Sequence, residues 1–291
     1  MARVSFGPWL RGAGVAVLWL LLYTAVGVGL TVVLSETVPD VGGGTWWFAR
    51  NGSCQLAGFL VATGLVGRAL NRYGWDRMGW RAPRVLPRHF LSGVGIGAAM
   101  AAAAVGLAIV ANRAAVRLTA TPGFLAVAGP LTLGLLATAL SEELMFRGYP
   151  LRRLADAVGP GIAIAVLALG FAAAHLTNPN GGVLSTINIA LAAVWLAAAF
   201  FTRGGMALAW GLHFGWNAAL GLVFDAPVSG FVFDVPGVEY VPGGRAWLDG
   251  GRFGPEGGVI GSLVLIAGVA IVLGRRVRDP GVWLASTARA A

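Results

Sequence analysis

Long apolar runs separated by short polar stretches dominate the chain. A helix needs about 20 apolar residues to cross the hydrocarbon of a bilayer. By that measure eight runs qualify, although Arg50 interrupts the second and the fifth is short: 13–35, 45–67, 90–112, 124–148, 161–177, 184–202, 206–224 and 257–274. We therefore predict an all-α membrane protein, a polytopic bundle of about eight transmembrane helices. It should form a single transmembrane domain over residues 1–291.

The first apolar run follows Arg3 and Arg11, as the core of a signal peptide would. It extends from about Ala13 to Ser35, whereas the core of a cleavable signal has about 7–15 residues. We expect this run to be retained as the first helix.

Basic and acidic residues are distributed unequally between the two sides of this bundle. All 21 basic residues are Arg, and the net charge is +9. With a cytoplasmic N-terminus, sixteen Arg fall on the inner side, and the outer side takes seven acids: Glu36, Asp40, Asp225, Asp234, Glu239, Asp249 and Glu256. The positive-inside rule then predicts that both termini are cytoplasmic. It also accounts for the basic residues without a nucleic-acid partner.

The composition agrees with a protein whose partner is the lipid bilayer. Hydrophobic residues make up 57% of the chain and charged residues only 11%, whereas about a quarter of a soluble domain is charged. The single Cys54 excludes an internal disulfide and a cysteine metal cluster. Many Arg, Ala and Gly residues indicate a GC-rich prokaryotic genome, so we expect an integral protein of a prokaryotic plasma membrane.

Glycines punctuate the apolar runs, as at Gly93 and Gly97 in the third. Small residues four apart let membrane helices approach closely, so we interpret these glycines as packing positions. The stretch 225–256 is rich in Gly and Pro, and its sequence indicates no chemistry.

A few ionisable or strongly polar side chains lie within the predicted helices, where each is costly. They are Glu142, Glu143, Arg147, His175, His213 and Asn217. At 1.5 Å per residue, Glu142, His175 and His213 lie about 16, 22 and 12 Å from the cytosolic ends of their helices. All three fall near the middle of a core about 30 Å thick, so a common site is possible.

Each of these side chains also has a structural interpretation. Glu143 and Arg147 are four residues apart and could form an internal ion pair. His213 and Asn217 have the same spacing and could bond neighbouring helices. Glu142 points about 100° away from Glu143 around the helix, so the same pair cannot easily neutralise it. Glu142 is therefore the carboxylate that a purely structural role, such as an ion pair, does not explain.

Together these groups suit hydrolysis of a peptide bond by an activated water. A carboxylate kept from bulk water can act as a general base near neutral pH, and a neighbouring histidine can share the proton. A second histidine with an asparagine amide offers two donors to a developing oxyanion.

Three motifs carry a resemblance to a known family. Glu142-Glu143-x-x-x-Arg147, Phe171-x-x-x-His175 and His213-x-x-x-Asn217, in this order, resemble the motifs of the CAAX prenyl protease and bacteriocin-processing (CPBP, or Abi) family of intramembrane endopeptidases. The motif-bearing core covers about residues 124–220. The resemblance implies that Glu142 and His175 activate water and that His213 and Asn217 form the oxyanion site. Glu143 and Arg147 would be supporting residues.

The resemblance leaves the cofactor and the substrate open. Glu142, His175 and His213 could hold zinc, but no His-Glu-x-x-His is present, and we prefer a metal-free glutamate mechanism. The substrate would be a peptide or protein, lipidated or bacteriocin-like. We expect the site to form a wet hollow that faces the cell interior, and we expect His89 to be interfacial and dispensable.

Other classes of membrane protein fit less well. A rhomboid-like serine protease needs Gly-x-Ser-Gly, and a presenilin-like protease needs paired intramembrane Asp; neither pattern is found. A transporter would also bury charged residues, and broken helical stretches like that from Asn178 to Gly182 are found in transporters. A transporter of this kind would, however, be built from two related halves, and the sequence shows no internal repeat. A catalytically silent scaffold is the third hypothesis.

Overall fold

The structure, a computed structural model, describes residues 6–40 and 42–274. Arg3, Arg275, Arg276, Arg278 and Arg289, which contribute to the predicted orientation, lie outside the described residues. Ten α-helices are described: α1 (Phe6–Thr37), α2 (Thr45–Ala62), α3 (Leu86–Asn112), α4 (Phe124–Phe146), α5 (Tyr149–Val158), α6 (Pro160–Ala174), α7 (Val183–Phe200), α8 (Gly205–Ala218), α9 (Ala246–Asp249) and α10 (Val259–Gly274).

Every predicted apolar run overlaps one of the described helices. Six helical stretches are long and apolar enough to cross a membrane, and two shorter apolar helices, α6 and α10, correspond to the fifth and eighth runs. The prediction of an all-α membrane protein is thereby confirmed. The count of eight spans and the placement of the termini stay predictions.

Arg50 is tolerated near the start of α2 because it satisfies the end of α1. Its guanidinium donates to the carbonyl oxygens of Ser35 and Val38, with an Nε–oxygen distance of 3.0 Å for Val38. The last carbonyls of a helix have no partner within the helix, and a cation there also offsets the negative end of the helix dipole.

The apolar run 124–148 breaks where its polar motif ends. Helix α4 stops at Phe146, and α5 starts at Tyr149 with Pro150 in its first turn. Proline fits the first turn of a helix because no hydrogen bond is required of it there. Helix α5 extends the chain beyond Arg147, so Glu142 lies well inside the stretch Phe124–Val158 rather than at its end.

The connecting segments collect at two opposite ends of the bundle. At one end, which we call the arginine end, lie the connectors 71–85, 147–159 and 201–204. Asp156 there accepts hydrogen bonds from Tyr73 at 2.8 Å and Arg77 at 2.6 Å. The opposite end, which we call the sheet end, holds the connectors 113–123, 175–182 and 224–258.

A small sheet joins two connectors at the sheet end. Strands β1 (Ala115–Leu118) and β2 (Val238–Val241) pair antiparallel, with Ala115 opposite Val241. The sequence did not predict these strands. The stretch 225–256 is also more structured than its composition suggested, because it contains β2, α9 and two 3₁₀ turns and folds back onto the helices.

Helices α3 and α8 pack backbone against backbone. A Cβ atom added at Gly93 would lie 2.6 Å from the carbonyl oxygen of Leu208, and Cβ atoms at Gly97, Gly211 and Gly215 would also meet backbone of the facing helix. The glycines thus act as packing positions, as predicted. They place α8, which carries the third motif, directly against α3.

Candidate active site

The three motifs meet because three helices present them at one depth. Helix α4 carries Glu142 and Glu143, His175 caps the C-terminus of α6, and α8 carries His213 and Asn217. The histidine of the second motif therefore stands where α6 ends and a turn begins, rather than within a continuous helix.

Glu142 faces both imidazoles. Its Oε2 lies 3.6 Å from Nε2 of His213 and 4.0 Å from Nε2 of His175. Neither distance is a direct hydrogen bond. A separation of about 4 Å leaves room for one water to bond both groups at once.

Glu143 forms the predicted ion pair and a second contact that the sequence did not indicate. Its Oε1 lies 3.2 Å from the guanidinium of Arg147 and 2.9 Å from Nδ1 of His213. Its side chain is fully buried, and Oε2 has no hydrogen-bond partner among the described residues. Glu143 thus links the first motif to the third.

Arg147 is held on several sides within the bundle. Its side chain is 2% exposed, its guanidinium carbon lies 4.4 Å from the centre of the Phe171 ring, and one nitrogen lies 3.5 Å from the carbonyl oxygen of Ala193. A guanidinium over an aromatic face is attracted by the ring quadrupole. This contact gives the phenylalanine of the second motif a role in holding the first.

Both histidines have one ring nitrogen engaged and the other directed at Glu142. Nδ1 of His175 lies 2.7 Å from the carbonyl oxygen of Phe171, and since a carbonyl only accepts, Nδ1 carries the hydrogen. Nδ1 of His213 is fixed in the same way by the carboxylate of Glu143. The two Nε2 atoms are left to face Glu142.

These groups line a cavity of about 220 Å³. Its polar lining includes Glu142, His175, His213 and Asn217, and its apolar walls include Phe48, Leu135, Met145, Phe231 and Phe233. Asn217 is half-buried and belongs to the same lining. The structure therefore brings all four predicted catalytic residues to one cavity.

A second, smaller cavity of about 40 Å³ adjoins the first. The two share His175, His213, Asn217 and Ser229, and the smaller one is otherwise mostly apolar. Glu256 is the acid in its lining.

Glu256 is a buried carboxylate that the sequence placed in an outer loop. Its side chain accepts hydrogen bonds from the indole N–H of Trp216 at 2.8 Å, from the hydroxyl of Ser229 at 2.7 Å and from the Ser229 backbone N–H. Asn188 holds the backbone of the same turn by donating to the carbonyl oxygens of Glu256 and Gly258. Glu256 thus links Ser229, which lines the cavity, to Trp216 on α8.

The cavity extends from the catalytic groups towards the sheet end. Asn178, Ser229 and Phe233 of the sheet-end connectors line it, and the Asn178 amide donates to the Ser229 carbonyl oxygen at 2.9 Å. Leu144 and Tyr149, which follow Glu143 towards the arginine end, are fully buried and do not line the cavity. Our two expectations, that the arginine-rich connectors are cytoplasmic and that the hollow faces the cell interior, therefore cannot both hold, and each stays a prediction. Hydropathy identifies the helices, but it does not show towards which end of the bundle a cavity between them extends.

Among the residues that the structure describes, no group of three or more His, Cys, Asp or Glu side chains is arranged to hold a metal ion. The metal-free mechanism and the zinc alternative on Glu142, His175 and His213 both stay predictions.

The family comparison agrees with the motifs. Residues 124–219, about a third of the chain, match the family model described as "Rce1-like: Type II CAAX prenyl endopeptidase Rce1-like". The matched segment begins with α4 and includes all three motifs. No curated protein and no solved structure matches the chain. The match confirms the resemblance to the CAAX protease family and indicates an intramembrane endopeptidase that acts on peptide or protein substrates.

Proposed function

We propose that the protein is an intramembrane endopeptidase of the CAAX-protease type that hydrolyses a peptide bond with a water activated by Glu142 and His175. One observation carries the proposal: a carboxylate and two imidazole Nε2 atoms face one another within about 4 Å at the base of a cavity. Ionisable groups at this depth are costly, and helix packing alone would not require them.

In the first step, the carboxylate of Glu142 takes a proton from a water held between it and Nε2 of His175. The water oxygen forms a bond to the carbonyl carbon of the scissile peptide, and the carbonyl π electrons move to its oxygen. In the second step, the carbon–nitrogen bond breaks, and the proton held by Glu142 passes to the leaving amine. The products are a carboxylic acid and an amine, and Glu142 returns to its starting state.

His213 and the amide of Asn217 stabilise the oxyanion. They lie one helical turn apart on α8 and line the same cavity. Since Nδ1 of His213 donates to Glu143, Nε2 can donate to an oxyanion only when the ring is an imidazolium. With that proton, Glu142, Glu143, Arg147 and His213 sum to zero charge, which is the favourable sum for a buried group of ions.

Glu143 and Arg147 are positioning residues in this mechanism. Glu143 fixes the tautomer and direction of the His213 ring, and Arg147 balances the charge of Glu143. Neither lines the cavity of about 220 Å³, so neither contacts the substrate.

The decisive experiment compares new peptide N-termini, by mass spectrometry, in membranes of cells that express the wild type or a variant. Glu142→Gln and His175→Ala should remove the N-termini that depend on the wild-type protein, because each lacks a group that activates water. A loss of about 10²–10⁴ in rate is typical for such a group.

Matched controls separate catalysis from folding. Glu36→Gln makes the same change on an exposed side chain, and His89→Ala changes a histidine outside the cavity lining; both should keep wild-type cleavage. The thermal unfolding of each purified variant checks that it folds. Wild-type cleavage by a folded Glu142→Gln variant contradicts the mechanism.

The metal alternative has its own measurement. The purified protein is dialysed against a chelator, its zinc content is measured, and its cleavage of a substrate found in the preceding experiment is assayed. We expect full activity without metal. Activity that falls with the zinc content and returns on adding zinc would replace the glutamate mechanism with the metal-dependent one.

A further inference from the structure

The two ends of the bundle carry opposite balances of charge. Ten arginines and two acids, Asp76 and Asp156, belong to the arginine end, the arginines being Arg11, Arg68, Arg72, Arg77, Arg81, Arg84, Arg88, Arg152, Arg153 and Arg203. Five arginines and seven acids belong to the sheet end: Arg50, Arg113, Arg117, Arg245 and Arg252, with Glu36, Asp40, Asp225, Asp234, Glu239, Asp249 and Glu256.

Contacts between connectors confirm that each set lies at one end of the described structure. At the arginine end, the N–H of Met206 donates to the carbonyl oxygen of Gly79 at 2.9 Å, which joins the start of α8 to the connector before α3. At the sheet end, the amide of Asn112 donates to the carbonyl oxygen of Arg245 at 3.1 Å, which joins the end of α3 to the segment after α8. The charge difference is therefore a difference between two faces of the protein.

Such an imbalance orients a membrane protein, because short arginine-rich connectors are retained in the cytoplasm. The arginine end then faces the cytoplasm, and the sheet end faces the outside. The cavity extends to the sheet end, where Asn178, Ser229 and Phe231 line it, and no residue of the connectors 71–85, 147–159 and 201–204 belongs to its lining.

We propose that the catalytic cavity is entered from the outer face of the membrane, so that its substrates are apolar peptide segments on that side. The aromatic walls, with Phe48, Phe231 and Phe233, suit an extended apolar segment. This assignment of the substrate rests on the proposed function, whereas the direction of the opening does not. Lipid-modified tails of cytoplasmic proteins would lie on the wrong side to enter.

The direction in which the cavity opens can be tested by cysteine labelling, which does not require catalytic activity. Cys54 is the only cysteine and is buried, so Cys54→Ala gives a cysteine-free background. Phe231→Cys places one thiol at the sheet end and Trp75→Cys places one at the arginine end. The two native side chains are a matched pair, since both are aromatic and are 47% and 49% exposed.

Spheroplasts that express each variant are treated with a membrane-impermeant maleimide before and after permeabilisation. We expect Phe231→Cys to be labelled in intact spheroplasts and Trp75→Cys only after permeabilisation. Val232→Cys, where the native side chain is 54% exposed, repeats the test should Phe231→Cys fail to fold. Labelling of Trp75→Cys in intact spheroplasts, or of the sheet-end cysteines only after permeabilisation, overturns the proposal.

A second measurement addresses the substrate. Wild-type cleavage products should carry new N-termini from segments on the outer side of the membrane, and Glu142→Gln should remove them. If cysteine labelling places the cavity outside but no such products are found, the opening stands and the proposed protease function fails. If the products come from cytoplasmic segments, the protease function stands and the outer-face substrate fails.

Discussion

The carboxylate of Glu143 and Nδ1 of His213 lie 2.9 Å apart, although 70 positions separate them in the chain. The same oxygen of Glu143 also binds Arg147 at 3.2 Å. The ion pair of Glu143 and Arg147 is therefore coupled to His213, the proposed oxyanion donor. A change to either partner of the ion pair should affect His213.

Arg147→Ala should cost both stability and activity. Breaking a buried ion pair by removing one partner leaves an uncompensated charge, which typically costs about 3–5 kcal/mol. Adding Glu143→Gln removes that charge and should recover much of the free energy of unfolding without recovering cleavage. Chemical unfolding in detergent measures the first effect and peptide cleavage the second. Strictly additive losses in the double variant would show that the two residues do not act as a pair.

Glu256→Gln should weaken both the bundle and the cavity wall. Glutamine keeps the shape but loses the charge that strengthens three hydrogen bonds, and bonds to charged groups are worth about 1.5–3 kcal/mol each. We expect a lower unfolding temperature and slower cleavage, because Ser229 is no longer held beside the cavity. Glu239→Gln, on an exposed side chain of β2, is the control. Equal behaviour of the two variants would remove the positioning role of Glu256.

The sequence indicated the helices and the candidate site residues that meet at one cavity, but not how the non-helical parts fold. Hydropathy located the runs because lipid-facing helices must be apolar throughout. The motif spacing identified Glu142, His175 and His213 because few other ionisable groups lie within those runs. Glu256 was missed because it lies among glycines and prolines, where composition gives no sign that the chain returns to the bundle. The four-residue strands β1 and β2 are too short for an alternating pattern to be recognised.

Gly97→Ala and Gly211→Ala should each destabilise the bundle. A Cβ atom at either position would meet a backbone carbonyl of the facing helix, which cannot move aside as a side chain can. Overpacking typically costs about 1–3 kcal/mol. Gly95→Ala makes the same change on α3 where nothing lies within 4 Å, and it should be neutral or slightly stabilising in a thermal unfolding assay. Equal unfolding temperatures for all three variants would contradict the close packing of α3 and α8.

Asp225→Asn should change the pH dependence of stability. Burial, with smaller effects from Asp234 and Glu239, raises the pKa of the Asp225 carboxyl to about 6 from 3.8. A raised pKa means that the folded state holds the proton more tightly, so the stabilisation is complete below about pH 4 and is lost as the pH rises through 6. Asparagine avoids this loss, can still accept from Val235 and tolerates the φ of 47°.

The expected gain for Asp225→Asn is at most about 1 kcal/mol at pH 8, because partial exposure lets solvent screen the charge. Unfolding temperatures at pH 8 and pH 4 measure it, and the advantage of the variant should disappear at the lower pH. A difference that is the same at both pH values would contradict a raised pKa at this position.

The contact between α3 and α8 limits how the enzyme could acquire a new specificity. Because the backbones touch at Gly97 and Gly211, α8 has no layer of side chains that could be trimmed or enlarged to shift it relative to its neighbour. His213 and Asn217 are therefore held at a fixed height. Variation in what the cavity admits must come from its opposite wall, at Phe48 on α2 and at Phe231 and Phe233 in the segment after α8.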